Sequence, residues 1–428
     1  MEPESFRALV QQHLLPLFSG AQLVPEQSSS PTQRPAVVER GRHSIEIKPS
    51  QATPWSLTLT RLQPFARPQP GRVSEKALAK AFVAALAAMP EGFESSPYAA
   101  DLMARLPRRL VVDTLCPEGV ELAVVLAAID QLEAWSSRSY EGQPIVAAVG
   151  FTPEGAGQEG LPAVQLREAW AEDFGAVLTN SFDTMLVADG HGHLLAYDAM
   201  AAPAEPPPLA PVRLAAVAHW SAQHPDRLAL VLNRADELLV LRQGSLIFAR
   251  RAGSWFFLAP EAIVQQMGGP RNQELRQAVY ASCLDASFAG TGACLGILNA
   301  EATPRLREIA PEPADHLLAQ RSAKARLLQR AINGQPFHAL DRRLRQEILA
   351  IDGATILDHN GQILAAGAIL KVPGGSSGGG RRAAAVALAA LGVGIKVSAD
   401  GGIEGFRRST TPSEGEQVGS RMSFRLMK

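Results

Sequence analysis

The sequence predicts an α/β protein: an N-terminal α/β domain, a β-rich middle segment and a C-terminal α/β domain built on a mixed sheet. Three observations carry this. Short apolar runs bounded by turn residues alternate with helix-forming stretches at both ends of the chain. The middle holds closely spaced alternating segments broken by Gly, Asn and Asp. The length of 428 residues exceeds what one hydrophobic core usually fills. The expected divisions are 1–155, 156–270 and 271–428.

Taken in order, residues 6–18 have apolar residues at helical spacing, and "PEQSSSPTQRP" (25–35) reads as a polar loop. "HSIEIK" and "WSLTLTRL" alternate as strands do, and "SEKALAKAFVAALAAM" (74–89) opens on a serine cap. "RLVVDTL" (109–115) reads as a buried strand, "PEGVELAVVLAAIDQLEAW" as a helix and "PIVAAVGF" (144–151) as a second buried strand. That succession predicts a parallel βαβ unit.

Beyond it, "FDTMLVADGHGHLLAYDA" reads as a hairpin, "AAPAEPPPLAP" (201–211) as a stiff linker, and 227–258 as an antiparallel meander. Helices return near residue 272. The last twenty residues read as frayed, apart from "MSFRLM", which has the alternation of an edge strand.

Composition narrows function. Forty-one Lys and Arg against 42 Asp and Glu leave a formal charge of −1, which argues against bulk attraction to nucleic acid or to an anionic membrane. There is no apolar run of about 18 residues for a membrane helix, and the N-terminus lacks the pattern of a signal peptide. Cys116, Cys283 and Cys294 have no CxxC spacing, which fits a reducing, cytoplasmic setting, and Cys283 and Cys294 read as small buried residues. His191 and His193 share a hairpin tip with no third ligand nearby, so Asp-Gly turn chemistry explains them better than a metal.

Two stretches point to chemistry. "GGSSGGG" (374–380) precedes Arg381, Arg382 and an alanine-rich helix. Glycines let backbone N–H groups approach phosphate, a helix N-terminus favours anions, and arginine binds phosphate in a bidentate manner. The stretch is not a Walker A loop, since Gly380 and Arg381 stand where Lys and Ser/Thr belong. Asp352-Gly353-Ala354 opens a β-hairpin. Its carboxylate could cap a turn, or hold a divalent metal and activate a ribose hydroxyl.

From about Arg276 to Arg407 the chain resembles the diadenylate cyclase domain of the DNA-integrity-scanning type. "ACLGIL" with "NAE", "LDRRLRQEILAIDGATIL", "GQILAAG" (361–367) and "GGGRRAAAVALAALGVGIKVSADGG" follow that family's order of elements. The resemblance implies that Asp352 is catalytic and metal-binding. It also implies that Gly353, Ala354, Gly378, Gly379, Gly380, Arg381, Arg382 and Ser398 hold nucleotide. Mg2+ or Mn2+ would be the cofactor and ATP the substrate, and two copies would face each other to make cyclic di-AMP.

The departures lie in the phosphate-gripping turn, which lacks the family's Thr and His, and in Ala399 and Asp400, which replace a glutamate pair. Alignment from the alanines makes Arg382 the motif's last arginine, and alignment back from Val397-Ser398 makes it Arg381. The N-terminal two thirds lie outside the resemblance, an arrangement similar to bacterial proteins that carry such a domain behind a sensor module. A catalytically degenerate nucleotide sensor is the alternative reading.

Overall fold

A computed structural model describes residues 2–28, 36–67, 72–90, 93, 96–153, 163–180, 182–267, 272–372, 379–408 and 420–427. The chain forms two compact units, Met1–Ala262 and Ile263–Lys428.

In the first unit, β1 (Gln22–Ser28), β2 (Val37–Glu39), β3 (Ser44–Ile47) and β4 (Trp55–Thr60) form an antiparallel sheet in the order β1-β4-β3-β2. The expected helix follows at Glu75–Ala87, where the Ser74 hydroxyl accepts a hydrogen bond from Ala77 N at 3.2 Å. A small hairpin pairs β5 (Ser139–Tyr140) with β6 (Gln143–Pro144). The larger sheet comprises β7 (Ala147–Phe151), β8 (Thr184–Ala188), β9 (Leu194–Ala199), β10 (Leu228–Leu232), β11 (Leu238–Arg242), β12 (Ser245–Arg251) and β13 (Ser254–Phe257). Its order is β13-β12-β11-β10-β7-β8-β9.

Three expectations change here. Residues 109–115 are not a strand but the end of the helix Ala99–Leu115, so the parallel βαβ unit does not form. Leu106, Leu110 and Val111 are buried at helical spacing, and their packing outweighs the β preference of the Val111-Val112 pair. The boundary at 155 does not divide the chain either. Strand β7 lies before it, yet pairs in parallel with β8 and antiparallel with β10, and Phe82, Val149 and Leu230 belong to one buried cluster. Likewise the 201–211 segment stays within this unit: Leu209 and Ala210 are buried, and the Leu209 carbonyl accepts from Leu246 N at 3.2 Å.

The second unit is α/β with a mixed sheet. Its strands are β14 (Ala293–Leu298), β15 (Ala354–Leu357), β16 (Ile363–Ala368), β17 (Gly392–Val397), β18 (Ile403–Arg408) and β19 (Ser420–Leu426), in the order β16-β15-β14-β17-β18-β19. Only β14 and β15 run parallel. The edge strand expected at "MSFRLM" is present as β19, where Phe424 and Leu426 are buried. Gly405 makes room for it, since a Cβ there would lie 2.1 Å from the Phe424 ring.

Two helices set the position of the β15 hairpin. Helix Gln273–Ala289 buries Asp285, which accepts from Arg342 Nε at 2.7 Å and from Arg342 Nη2 at 2.9 Å. This forked pair holds helix Arg342–Ala350, whose end leads directly into Asp352. No described helix is long and apolar enough to cross a membrane.

Candidate functional site

One row of residues crosses all six strands of the second sheet. The strand registers place Ala368 opposite Ala354, Ala354 beside Cys294, Cys294 opposite Lys396, Lys396 opposite Glu404, and Glu404 opposite Arg425. Because side chains on a strand alternate between faces, Gly296 and Gly394 lie two residues further along on the same face. They are direct partners. A Cβ on Gly394 would meet the Ala385 carbonyl at 1.8 Å, and one on Gly296 would meet Leu388 at 2.7 Å. Helix Gly380–Ala389 therefore lies directly on this glycine pair.

Beside the start of that helix is a cleft of about 820 Å³. Its floor includes Ala354, Cys294 and Lys396, and its rim carries Asp352, Gly379, Gly380, Arg381 and Ser398. Four stretches far apart in sequence thus meet in one place. Of the residues singled out from sequence, the cleft gathers Asp352, Gly353, Ala354, Gly379, Gly380, Arg381 and Ser398. Gly378 lies outside the described residues.

Arg382 is a correction. Successive residues on a helix point about 100° apart, so the two neighbouring arginines leave it in different directions. Arg381 lines the cleft, and Arg382 turns to Glu404, with Nε 3.5 Å from Oε2 and its guanidinium over the Phe406 ring. Gly292 gives Arg381 its place: a Cβ there would fall 2.5 Å from Arg381 Nη1.

Asp352 is exposed at the cleft mouth and makes no hydrogen bond or ion pair among the described residues. Its neighbour Gly353 has φ +109°, and a Cβ there would come within 2.5 Å of the Gly367 backbone. Only glycine permits both that angle and that approach. On the far side, Lys324 Nζ donates to Asp315 at 2.5 Å and to the Gly367 carbonyl at 3.3 Å, which fixes the end of β16 and the apolar wall Ala368, Ile369 and Leu370.

Lys396 was not legible as a site residue. It follows no motif, but it lies on β17, Ser398 comes just past that strand's end, and both line the cleft. Its Nζ is 3.4 Å from Glu404, whose side chain is 2% exposed. Burial pushes the Glu404 carboxyl upward, but the charges of Lys396, Arg425 and Arg382 outweigh it and hold the group below its ordinary value. Cys294 is the opposite case. Burial pushes its thiol up to about 12 despite the opposing charge of Arg381, so it lines the floor as a neutral thiol and not as a nucleophile.

At the other hairpin, His191 Nδ1 is 2.7 Å from Glu121 and His193 Nδ1 is 3.0 Å from Asp189. The two imidazoles therefore contact different carboxylates. No cluster of three or more His, Cys, Asp and Glu side chains suited to a metal occurs among the described residues.

No protein-family model and no curated protein matches the chain. Among solved structures, a double mutant of DacA from Staphylococcus aureus is similar over 36% of this chain and 90% of its own. The identity is 20% and the TM-score 0.20, a likeness too slight to assign anything to this chain.

Proposed function

We propose that the second unit is a nucleotidyltransferase that binds ATP in this cleft and condenses two ATP into cyclic di-AMP, under the control of the first unit. The observation that carries the reading is the convergence of a carboxylate without a partner among the described residues, an arginine and a glycine-led helix start on one cleft. Its volume falls within the range of about 300–1,000 Å³ usual for ligand clefts.

The backbone N–H groups at Gly380 and Arg381 and the Arg381 guanidinium would bind phosphate oxygens, where the helix dipole favours negative charge. The apolar wall from Ala368 to Leu370 would take the base. Asp352 would accept the proton of a ribose 3′-hydroxyl as its oxygen attacks the α-phosphorus of the second ATP. The bond to pyrophosphate breaks, and Arg381 offsets the charge that gathers on this leaving group. Two such transfers close the ring and release two pyrophosphates. In the family that the second unit resembles, two copies face each other with one ATP each, and the reaction would need the same arrangement here.

One carboxylate together with substrate phosphates is the smallest donor set that Mg2+ commonly uses. Asp352 fits that requirement and would hold Mg2+ or Mn2+ with the nucleotide. The ion would supply Lewis-acid stabilisation of the phosphoryl oxygens.

A second reading has its own support. Ala399 lines the cleft and Asp400 accepts from Gly402 N at 3.3 Å within the β17–β18 turn, where the resembling family has two glutamates. Such a cleft suits a sensor that binds nucleotide without turning it over. Incubation of the full chain with ATP and Mn2+, followed by mass spectrometry, separates the two. Cyclic di-AMP supports the enzyme, whereas an ATP-induced rise in melting temperature without product supports the sensor.

A further inference from the structure

The charges along the sheet row are unevenly matched. Glu404 is a single buried carboxylate facing three cations. Arg425 makes the close contact, with Nη2 2.8 Å from Oε1, while Arg382 lies at 3.5 Å and Lys396 at 3.4 Å from Oε2. A charge-assisted N–H···O bond is ordinarily about 2.7–2.9 Å. Glu404 therefore shares one negative charge among three cations, with Arg425 in the closest contact, and Lys396 is held in place by its 3.4 Å hydrogen bond within a cluster whose net charge is positive. Of the three, only Lys396 lines the cleft.

Within the cleft lining, Lys396 and Arg381 stand against one carboxylate, Asp352. The two cations come from different elements, one from the sheet floor and one from the helix start. An anion resting on the row at Cys294 would have a cation on either side. The surplus is positive before any ion binds, and the helix N-terminus adds to it.

Resting on the reading of the cleft as a nucleotide site, we propose that Lys396 is a second phosphate-binding cation, and that it and Arg381 let the cleft hold a nucleoside triphosphate without a divalent metal. The metal then serves the transfer step and not the binding step. Glu404 is a positioning residue: its hydrogen bond keeps the Lys396 ammonium over the floor, and because three cations share this one carboxylate the cluster stays net positive.

The test is ATP binding to the full chain, measured by calorimetry in EDTA and again with Mg2+. Wild type is expected to bind in EDTA within roughly tenfold of its affinity with Mg2+. Lys396→Met should weaken binding in EDTA by roughly tenfold or more, the scale of one charge-assisted contact. Its loss with Mg2+ should be smaller. Lys396→Arg, which keeps the charge, should recover most of the affinity, and the melting temperatures of both variants confirm that they fold. Binding that needs Mg2+ in wild type, or an unchanged EDTA affinity in a folded Lys396→Met, overturns the inference and leaves the nucleotide reading standing. No ATP binding in either condition overturns both.

Discussion

Asp352 and Glu404 belong to the same unit, flank the same row of the sheet and share the same chemistry, yet their surroundings are opposite. Asp352 sits exposed at the mouth of a cleft without a partner among the described residues. Glu404 is buried one strand beyond the cleft floor and is surrounded by Lys396, Arg382 and Arg425. A charge held by three opposite charges does its work when the chain folds, and removing it costs stability. A charge left unheld beside a cavity costs the fold little, and its use lies with whatever enters the cavity. The two carboxylates should therefore fail in different assays.

The largest difference is expected from Asp352→Asn. The substitution keeps shape and removes the charge that a ribose proton or a metal requires. Product formation should fall by about 10²–10⁴-fold, the usual contribution of a positioned general base. Stability to urea should change by no more than about 0.5 kcal/mol, as for an exposed residue without partners. Wild-type product formation by this variant would remove Asp352 from the mechanism.

Arg381 and Arg382 repeat the contrast one residue apart. Arg381→Ala should weaken ATP binding by about 1.5–3 kcal/mol, because it removes a charged hydrogen-bond donor from the cleft. Arg382→Ala should leave ATP affinity nearly unchanged and lower the melting temperature slightly through lost contacts with Glu404 and Phe406. Equal effects of the two on affinity would contradict their separation across the helix.

That pair also marks how far the residues could be read before folding. The mixed α/β character and most elements of the second unit follow from local patterns, such as the β-hairpin that Asp352-Gly353-Ala354 opens and the alanine-rich helix that starts at the glycine stretch. The cleft-facing arginine did not, because alignments from either side of the glycine stretch disagree by one residue. Packing decides it: Gly394 and Gly296 seat the helix, and Gly292 leaves the space that the Arg381 guanidinium occupies. Lys396 was hidden for a related reason. Its role depends on which strands become neighbours, and nothing local to "GIKVS" states that Cys294 and Glu404 lie on either side of it. In the first unit the helix Ala99–Leu115 was misread where two adjacent valines imitate a strand, and it continues through Pro107, a residue that ordinarily starts or breaks a helix.

The smallest effect expected is that of Glu404→Gln on stability, and its pH dependence is more telling than its size. The variant keeps the volume and an acceptor oxygen but leaves three cations without a counter-charge. Arg425 and Arg382 are partly exposed, so water compensates some of the loss. The cost should be about 1–2 kcal/mol near neutral pH, between the values for surface and buried ion pairs. The Glu404 carboxyl is held below its ordinary value of 4.5 in the folded protein. A depressed carboxylate contributes stability that is fully present above its unfolded-state pKa and is lost as pH falls through its folded-state pKa. The gap between wild type and Glu404→Gln should therefore be constant from about pH 7 to pH 6 and shrink progressively below about pH 4.5. Urea denaturation at a series of pH values measures it, and other carboxylates largely cancel because both proteins carry them. A gap that stays constant into acid would mean that Glu404 acts through shape and hydrogen bonding alone, and its contrast with Asp352 would then not be one of charge.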